Sequence, residues 1–150
     1  MINQEFVKAT GELSVVLRDE NGNIKQEQFI PNLVVTVGKN WIASRMKDTG
    51  IPVQMSHMAV GAGTVAPVVG DTALGSELGR VALTTAGGTV SNNEVTYSAT
   101  FGAGTGTGAI TEAAILNASS AGTMLCRTTF AVVNKGANDT VAISWKVTVS

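Results

Sequence analysis

Apolar and polar residues alternate most regularly over residues 140–150. Val141, Ile143, Trp145, Val147 and Val149 fall on one side, and Ala142, Ser144, Lys146, Thr148 and Ser150 on the other. A period of two is a strand with one face in a core and one in water. Such a strand needs paired neighbours, so the rest of the chain is expected to build a sheet around it. The same period sets Val95, Tyr97, Ala99 and Phe101 against Thr96, Ser98 and Thr100, and Leu13, Val15 and Leu17 against Ser14, Val16 and Arg18.

Shorter signals fill the intervals. Residues 19–23 form a turn in which Asn21-Gly22 supplies the left-handed backbone of a tight hairpin. Residues 24–29 return as the partner strand, and Pro31-Asn32 breaks it. Residues 33–37 are a short apolar run. Trp41, Ile42, Arg45 and Met46 then recur at helical spacing with no internal proline, which predicts one short helix at about residues 38–47, stopped by Asp48-Thr-Gly50. That helix is expected to lid an open end of the sheets. Residues 55–60, 80–85, 110–116 and 124–133 read as further strands. Residues 65–75, with Pro67 and Gly70-Asp71, read as a long loop with a turn of helix near residues 72–75.

Short strands separated by turn signals every ~8–12 residues predict a mainly β fold, an antiparallel β-sandwich or jelly roll with one short α-helix. There is no alternation of strand and helix, which excludes a doubly wound sheet. The 150 residues fit one sandwich domain, with residues 1–9 as an N-terminal arm.

Composition narrows the function. Charged residues make up 14% of the chain and the net charge is -1. No Lys/Arg cluster exists to release counterions, so direct nucleic-acid binding is not expected. No apolar run approaches the ~18 residues of a membrane span. The N-terminus lacks the basic and apolar regions of a signal peptide, which points to a cytoplasm as the place of synthesis and assembly. The first 50 residues hold twelve of the 21 charges. The charge-poor remainder is a surface suited to meeting other protein.

Candidate chemistry is sparse. Gly61-Ala-Gly63-Thr-Val-Ala66 fits the loose dinucleotide fingerprint and follows a strand, but Pro67 stands where a helix should open. Gly102-Ala-Gly-Thr-Gly-Thr-Gly108 has no lysine and no following helix, so it is no phosphate loop. His57 and Cys126 are each the only residue of their kind. They are too few for a structural zinc site, and nothing orients them as a catalytic pair. Asp71, Glu77, Glu94, Glu112 and Asp139 are scattered singly, without the pairing that glycoside hydrolysis needs. Trp41 and Trp145 read as core. No enzyme activity and no cofactor is expected.

Several segments together resemble a group of small structural proteins of tailed-bacteriophage virions. They are Gly11-Glu-Leu-Ser-Val-Val-Leu-Arg-Asp-Glu-Asn-Gly22, Asn32-Leu-Val-Val-Thr-Val-Gly-Lys39, Met55-Ser-His-Met-Ala-Val-Gly-Ala-Gly63, Gly70-Asp-Thr-Ala-Leu-Gly-Ser-Glu77, Val95-Thr-Tyr-Ser-Ala-Thr-Phe101, Ile110-Thr-Glu-Ala-Ala-Ile-Leu-Asn-Ala118 and Asn134-Lys-Gly-Ala-Asn-Asp-Thr140. The resemblance implies either a capsid decoration (cement) protein or a tail-fibre-like protein, with no catalytic residues. The chain has none of the repeats of a fibre shaft, which favours decoration. The expected partners are the major capsid protein and copies of the chain itself, as a homotrimer or other homo-oligomer. The expected location is the outer capsid surface of the virion. The alternative is a receptor-binding adhesin of the tail, touching a glycan or protein through Trp41, Tyr97 or residues 102–108. The candidate partner contacts are Ile2 and Phe6 on the arm, Lys39 and Arg45 on the polar side of the helix, and Gly104 and Gly106, whose small size lets another chain approach.

Overall fold

The computed structural model describes residues 5–47 and 52–150. Nine strands and one helix follow in the order β1 (Ala9–Arg18), β2 (Ile24–Val34), α1 (Thr36–Ser44), β3 (His57–Gly61), β4 (Glu77–Ala82), β5 (Thr89–Ser91), β6 (Glu94–Phe101), β7 (Gly108–Leu116), β8 (Met124–Lys135) and β9 (Thr140–Val149). All pair antiparallel in one curled sheet of order β4-β3-β7-β8-β2-β1-β9-β6-β5. The mainly β expectation with a single helix holds among the described residues.

The sheet folds over at β2. Most of that strand pairs with β1, and only Leu33 and Val34 pair with Arg127 and Cys126 of β8. Gln26 and Gln28 bridge part of the remaining gap with side-chain amides on the carbonyls of Val132 and Ala131. The far edge then returns, with Thr84 N–H donating to the Ser98 carbonyl at 2.8 Å. The result is two facing layers, one of β1, β9 and β6 and one of β3, β7 and β8. Leu13, Val15, Ile143, Trp145, Tyr97 and Phe101 of the first meet Met58, Val60, Ile110, Ile115 and Leu125 of the second in one buried cluster. Each such side chain contributes on the order of 1.5–3 kcal/mol by leaving water.

β9 is paired along both edges, with β1 on one side and β6 on the other. Its alternation is therefore a true inside–outside pattern. β7 behaves differently. Its register against β8 shifts between Ile110 and Glu112, a bulge that places both Ile110 and Ala113 in the core. Glu112, Ala114 and Leu116 consequently point away from the core.

Several sequence expectations change. Pro31 does not break β2, which runs through it and pairs Pro31 with Glu12. A proline is tolerated there because pairing with β8 starts only at Leu33, so the strand is an edge at that point. The helix is Thr36–Ser44 rather than residues 38–47, with residues 45–47 in a turn. Asp48, Thr49 and Gly50, expected to stop it, lie outside the described residues. The helix docks where Gly38 meets Leu125, since a Cβ on Gly38 would stand 2.0 Å from the Leu125 carbonyl oxygen. The arm is also shorter than expected. Lys8 N–H donates to the Ser150 carbonyl and Ser150 N–H returns the bond, at 2.7 and 2.8 Å, and Ala9 already belongs to β1. No turn of helix occurs at residues 72–75, and β5 was not anticipated.

Candidate functional site: an apolar strap on a buried charge cluster

Residues 62–76 join β3 to β4 without strand or helix. They lie as a strap over the outward face of β3, β7 and β8. Leu74 of the strap packs, with Val37 of α1, against Val35, Ala59, Ala114, Leu116 and Met124. Loops of this length without regular structure are uncommon in compact domains and are usually either functional or disordered.

The strap is fastened by Glu112. This residue is 0% exposed, and its partner Arg127 is 3% exposed. Glu112 Oε1 accepts the backbone N–H groups of Gly63 and Ser76, each at 2.8 Å, and Oε2 accepts that of Gly75 at 3.0 Å. Arg127 donates to Oε2 from Nε at 3.1 Å and from Nη2 at 2.9 Å. The rest of the guanidinium holds the strap further along. Nη2 reaches the Val65 carbonyl and Nη1 reaches Asp71 Oδ2, both at 2.9 Å. Asp71 Oδ2 also accepts Val68 N–H. Thr111 Oγ1 donates to the Gly63 carbonyl at 2.7 Å, and Thr36 N–H, at the start of α1, donates to the Val69 carbonyl at 2.7 Å.

Burial pushes the Glu112 carboxyl upward. The N–H groups of Gly75 and Ser76, with Arg127 and Gly63, more than offset it, and the group sits below its ordinary value of 4.5. The carboxylate is therefore held charged. With five donors on its two oxygens, it has no lone pair directed at a substrate.

This arrangement explains the glycines read earlier as a loose nucleotide fingerprint. A Cβ on Gly61 or Gly63 would stand 2.5 Å from Glu112 Oε1. The segment does cradle an anion with backbone N–H groups, but the anion is the chain's own carboxylate. No helix follows the glycines.

What the strap presents outward is apolar. Val65, Val68 and Val69 are 74%, 56% and 52% exposed. Residues 62–70 contain no ionisable side chain. Three exposed valines on a loop fixed by a buried ion pair form an apolar surface of set shape.

The expected contact residues divide between two ends of the sandwich. Ile2 lies outside the described residues. Phe6 and Lys39 are exposed near the N-terminal end of β1 and on α1. Lys39 lines a groove of about 700 Å³ with Val7, Ala9, Ile42, Met46 and Val149. Arg45 stacks over the Trp41 ring at 5.3 Å and donates to the Pro52 carbonyl at 2.9 Å. Gly104 and Gly106 sit at the other end. Gly104 is exposed, with open space where a Cβ would be. Gly106 is buried, and a Cβ there would stand 2.9 Å from Val60 Cγ2. The close approach that Gly106 permits is to its own chain. A Cβ on the facing Gly79 would stand 2.8 Å from the Gly106 nitrogen.

Burial pushes the Cys126 thiol well up, so it stays protonated, and the His57 ring bonds Ser56 Oγ at 2.8 Å. Trp145 is fully buried, as expected. Trp41 and Tyr97 are largely buried as well, and what remains of them lines a hollow of about 290 Å³ with Arg45, Val90 and Val95. Among the described residues no three His, Cys, Asp or Glu side chains are placed to hold a metal ion, and no helix is long and apolar enough to cross a membrane.

The Glu112–Arg127–Asp71 cluster was missed in the sequence because its members are far apart along the chain. A signal existed. Glu112 is the only charge within β7 and Arg127 the first in β8, both inside small or apolar runs. Lone opposite charges in two such strands are candidates for one buried pair. No protein-family model matches this chain, and no curated protein or solved structure matches it.

Proposed function

We propose that this protein is a structural component of a tailed-bacteriophage virion, a decoration (cement) protein that binds the outer capsid surface and stabilises the head. In this reading it acts by assembly, with the major capsid protein and with copies of itself, as a homotrimer or other homo-oligomer. The observation that carries the reading is the strap. A buried ion pair and three backbone hydrogen bonds hold an exposed apolar segment in one shape. A fixed apolar surface loses little conformational freedom on docking, so the energy of burying its valines goes into the contact. On a shell with many equivalent sites, modest contacts add by avidity. The resemblance along the chain and the low charge of residues 51–150 support the same reading.

The tail-adhesin alternative keeps the partly exposed loop at residues 102–108, but it has less support at Trp41 and Tyr97, which are largely buried and reach solvent only through a hollow of about 290 Å³. Copy number separates the two. Quantitative mass spectrometry of purified particles should find hundreds of copies per particle. Particles lacking the protein should lose heat and chelator resistance. A handful of copies would place it on the tail, and unchanged resistance of stripped particles would remove the stabilising role.

A further inference from the structure

We propose that the outward face of β2, β1, β9 and β6 carries a binding site for a neutral pyranose sugar, with Phe29 as its stacking platform. The site stands apart from the capsid reading, and it lies on the layer that the strap does not cover.

Strand register builds the site. Phe29 of β2 pairs with Ser14 of β1, Ser14 with Ser144 of β9, and Ser144 with Ser98 of β6. Paired residues share a face, so one ring and three serines stand in a row at steps of ~4.8 Å. The adjoining row is Pro31, Glu12, Lys146 and Thr96. A large ring beside short hydroxyl side chains makes a step in the surface. The step is a hollow of about 370 Å³, walled by Phe29, Glu12, Ser14, Thr96, Ser144 and Lys146. Ligand pockets run from roughly 300 to 1,000 Å³, and this one suits a single small ligand. Phe29 is 77% exposed, more than any other large apolar side chain on a strand among the described residues.

An exposed ring alone is ordinary. The surroundings of this ring select a ligand. Ser14, Ser144 and Thr96 both donate and accept hydrogen bonds, Glu12 accepts, and Lys146 donates. A sugar hydroxyl also donates and accepts, and the C–H face of a pyranose is apolar enough to lie on an aromatic ring. Charge excludes other stacking ligands. Lys146 stands between Glu12 and Glu94 at 3.3 and 3.6 Å. Two carboxylates to one ammonium repel a nucleotide phosphate or an acidic sugar. A protein partner would bury an apolar centre depleted of charge. Here the charges line the hollow, and Phe29 is its only exposed large apolar side chain. The exposed charge network adds little to stability, which leaves its groups available to a ligand.

The test is saturation-transfer difference NMR on the purified full chain. The probes are the methyl glycosides of glucose, galactose, mannose and N-acetylglucosamine, with glucuronic acid as the anionic control. At least one neutral glycoside should show transfer to its ring C–H protons, and protein amide shifts should cluster at residues 12–14, 28–30, 96 and 144–146. Phe29→Thr removes the ring but keeps a strand-forming residue. It should weaken binding about tenfold with the melting temperature unchanged. Phe29→Tyr should keep binding, and Lys146→Ala should weaken it. No transfer to any of the four neutral glycosides would overturn the proposal. So would binding that survives Phe29→Thr, or glucuronic acid binding as tightly as the neutral sugars. Loss of a self-association on Phe29→Thr in sedimentation, with no sugar bound, would assign the ring to a protein interface and overturn it too. The capsid reading is tested separately, by copy number per particle.

Discussion

Over β1, β9 and β6 the outward face meets water and carries Ser14, Ser144, Thr96 and Lys146. Over β3, β7 and β8 the outward face is buried under the strap and carries Ala59, Ala114, Leu116 and the Glu112–Arg127 pair. Both layers share one core, yet their charges do different work. Lys146 stands between Glu12 and Glu94 at 3.3 and 3.6 Å in solvent. Glu112 and Arg127 are desolvated and fastened to backbone. An exposed pair is screened and adds little, whereas breaking a buried one strands a charge.

The core common to both layers sets the largest effect. Trp145→Ala should cost about 3–5 kcal/mol in denaturant unfolding. Among the described residues its indole Nε1 has no hydrogen-bond partner, so the loss is one of packing. Glu112→Gln keeps the shape but leaves buried Arg127 with only the partly exposed Asp71 as counter-charge, and should cost about 3 kcal/mol. A cost near zero would mean that the strap is held by packing alone.

The pH dependence sharpens the contrast. The Glu112 carboxyl is lower in the folded chain than its ordinary value of 4.5. The unfolded chain therefore takes up this proton first as pH falls. The stability from Glu112 is complete above ~4.5 and is lost as pH drops through the folded value. Urea midpoints should fall in that acid range, and the fall should be shallower in Glu112→Gln. The smallest effect belongs to the wet face. Lys146→Ala should leave the melting temperature unchanged within measurement error, and a clear drop would show that this face is not an ordinary solvated surface.

The same contrast explains what the sequence disclosed. Period two appears only where one face of a strand is wet. Val141, Ile143, Trp145 and Val147 could be read directly, and so could Tyr97, Ala99 and Phe101. β7 hides its period, because its outward face is covered and the bulge near Thr111 shifts the phase. Pro31 misled because a proline stops a strand only where its missing N–H is needed. The ion cluster was illegible for another reason. Asp71, Glu112 and Arg127 are joined by pairings that local spacing does not carry. Gly61 and Gly63 were noticed, but a glycine cradle does not name its anion.

Amide hydrogen exchange of the isolated protein tests the fixed strap most directly. Gly63, Gly75 and Ser76 should exchange as slowly as amides of β7, and all three should be released together in Glu112→Gln. Exchange of these amides in the native protein at the rate of an open loop would contradict a docking surface set in advance.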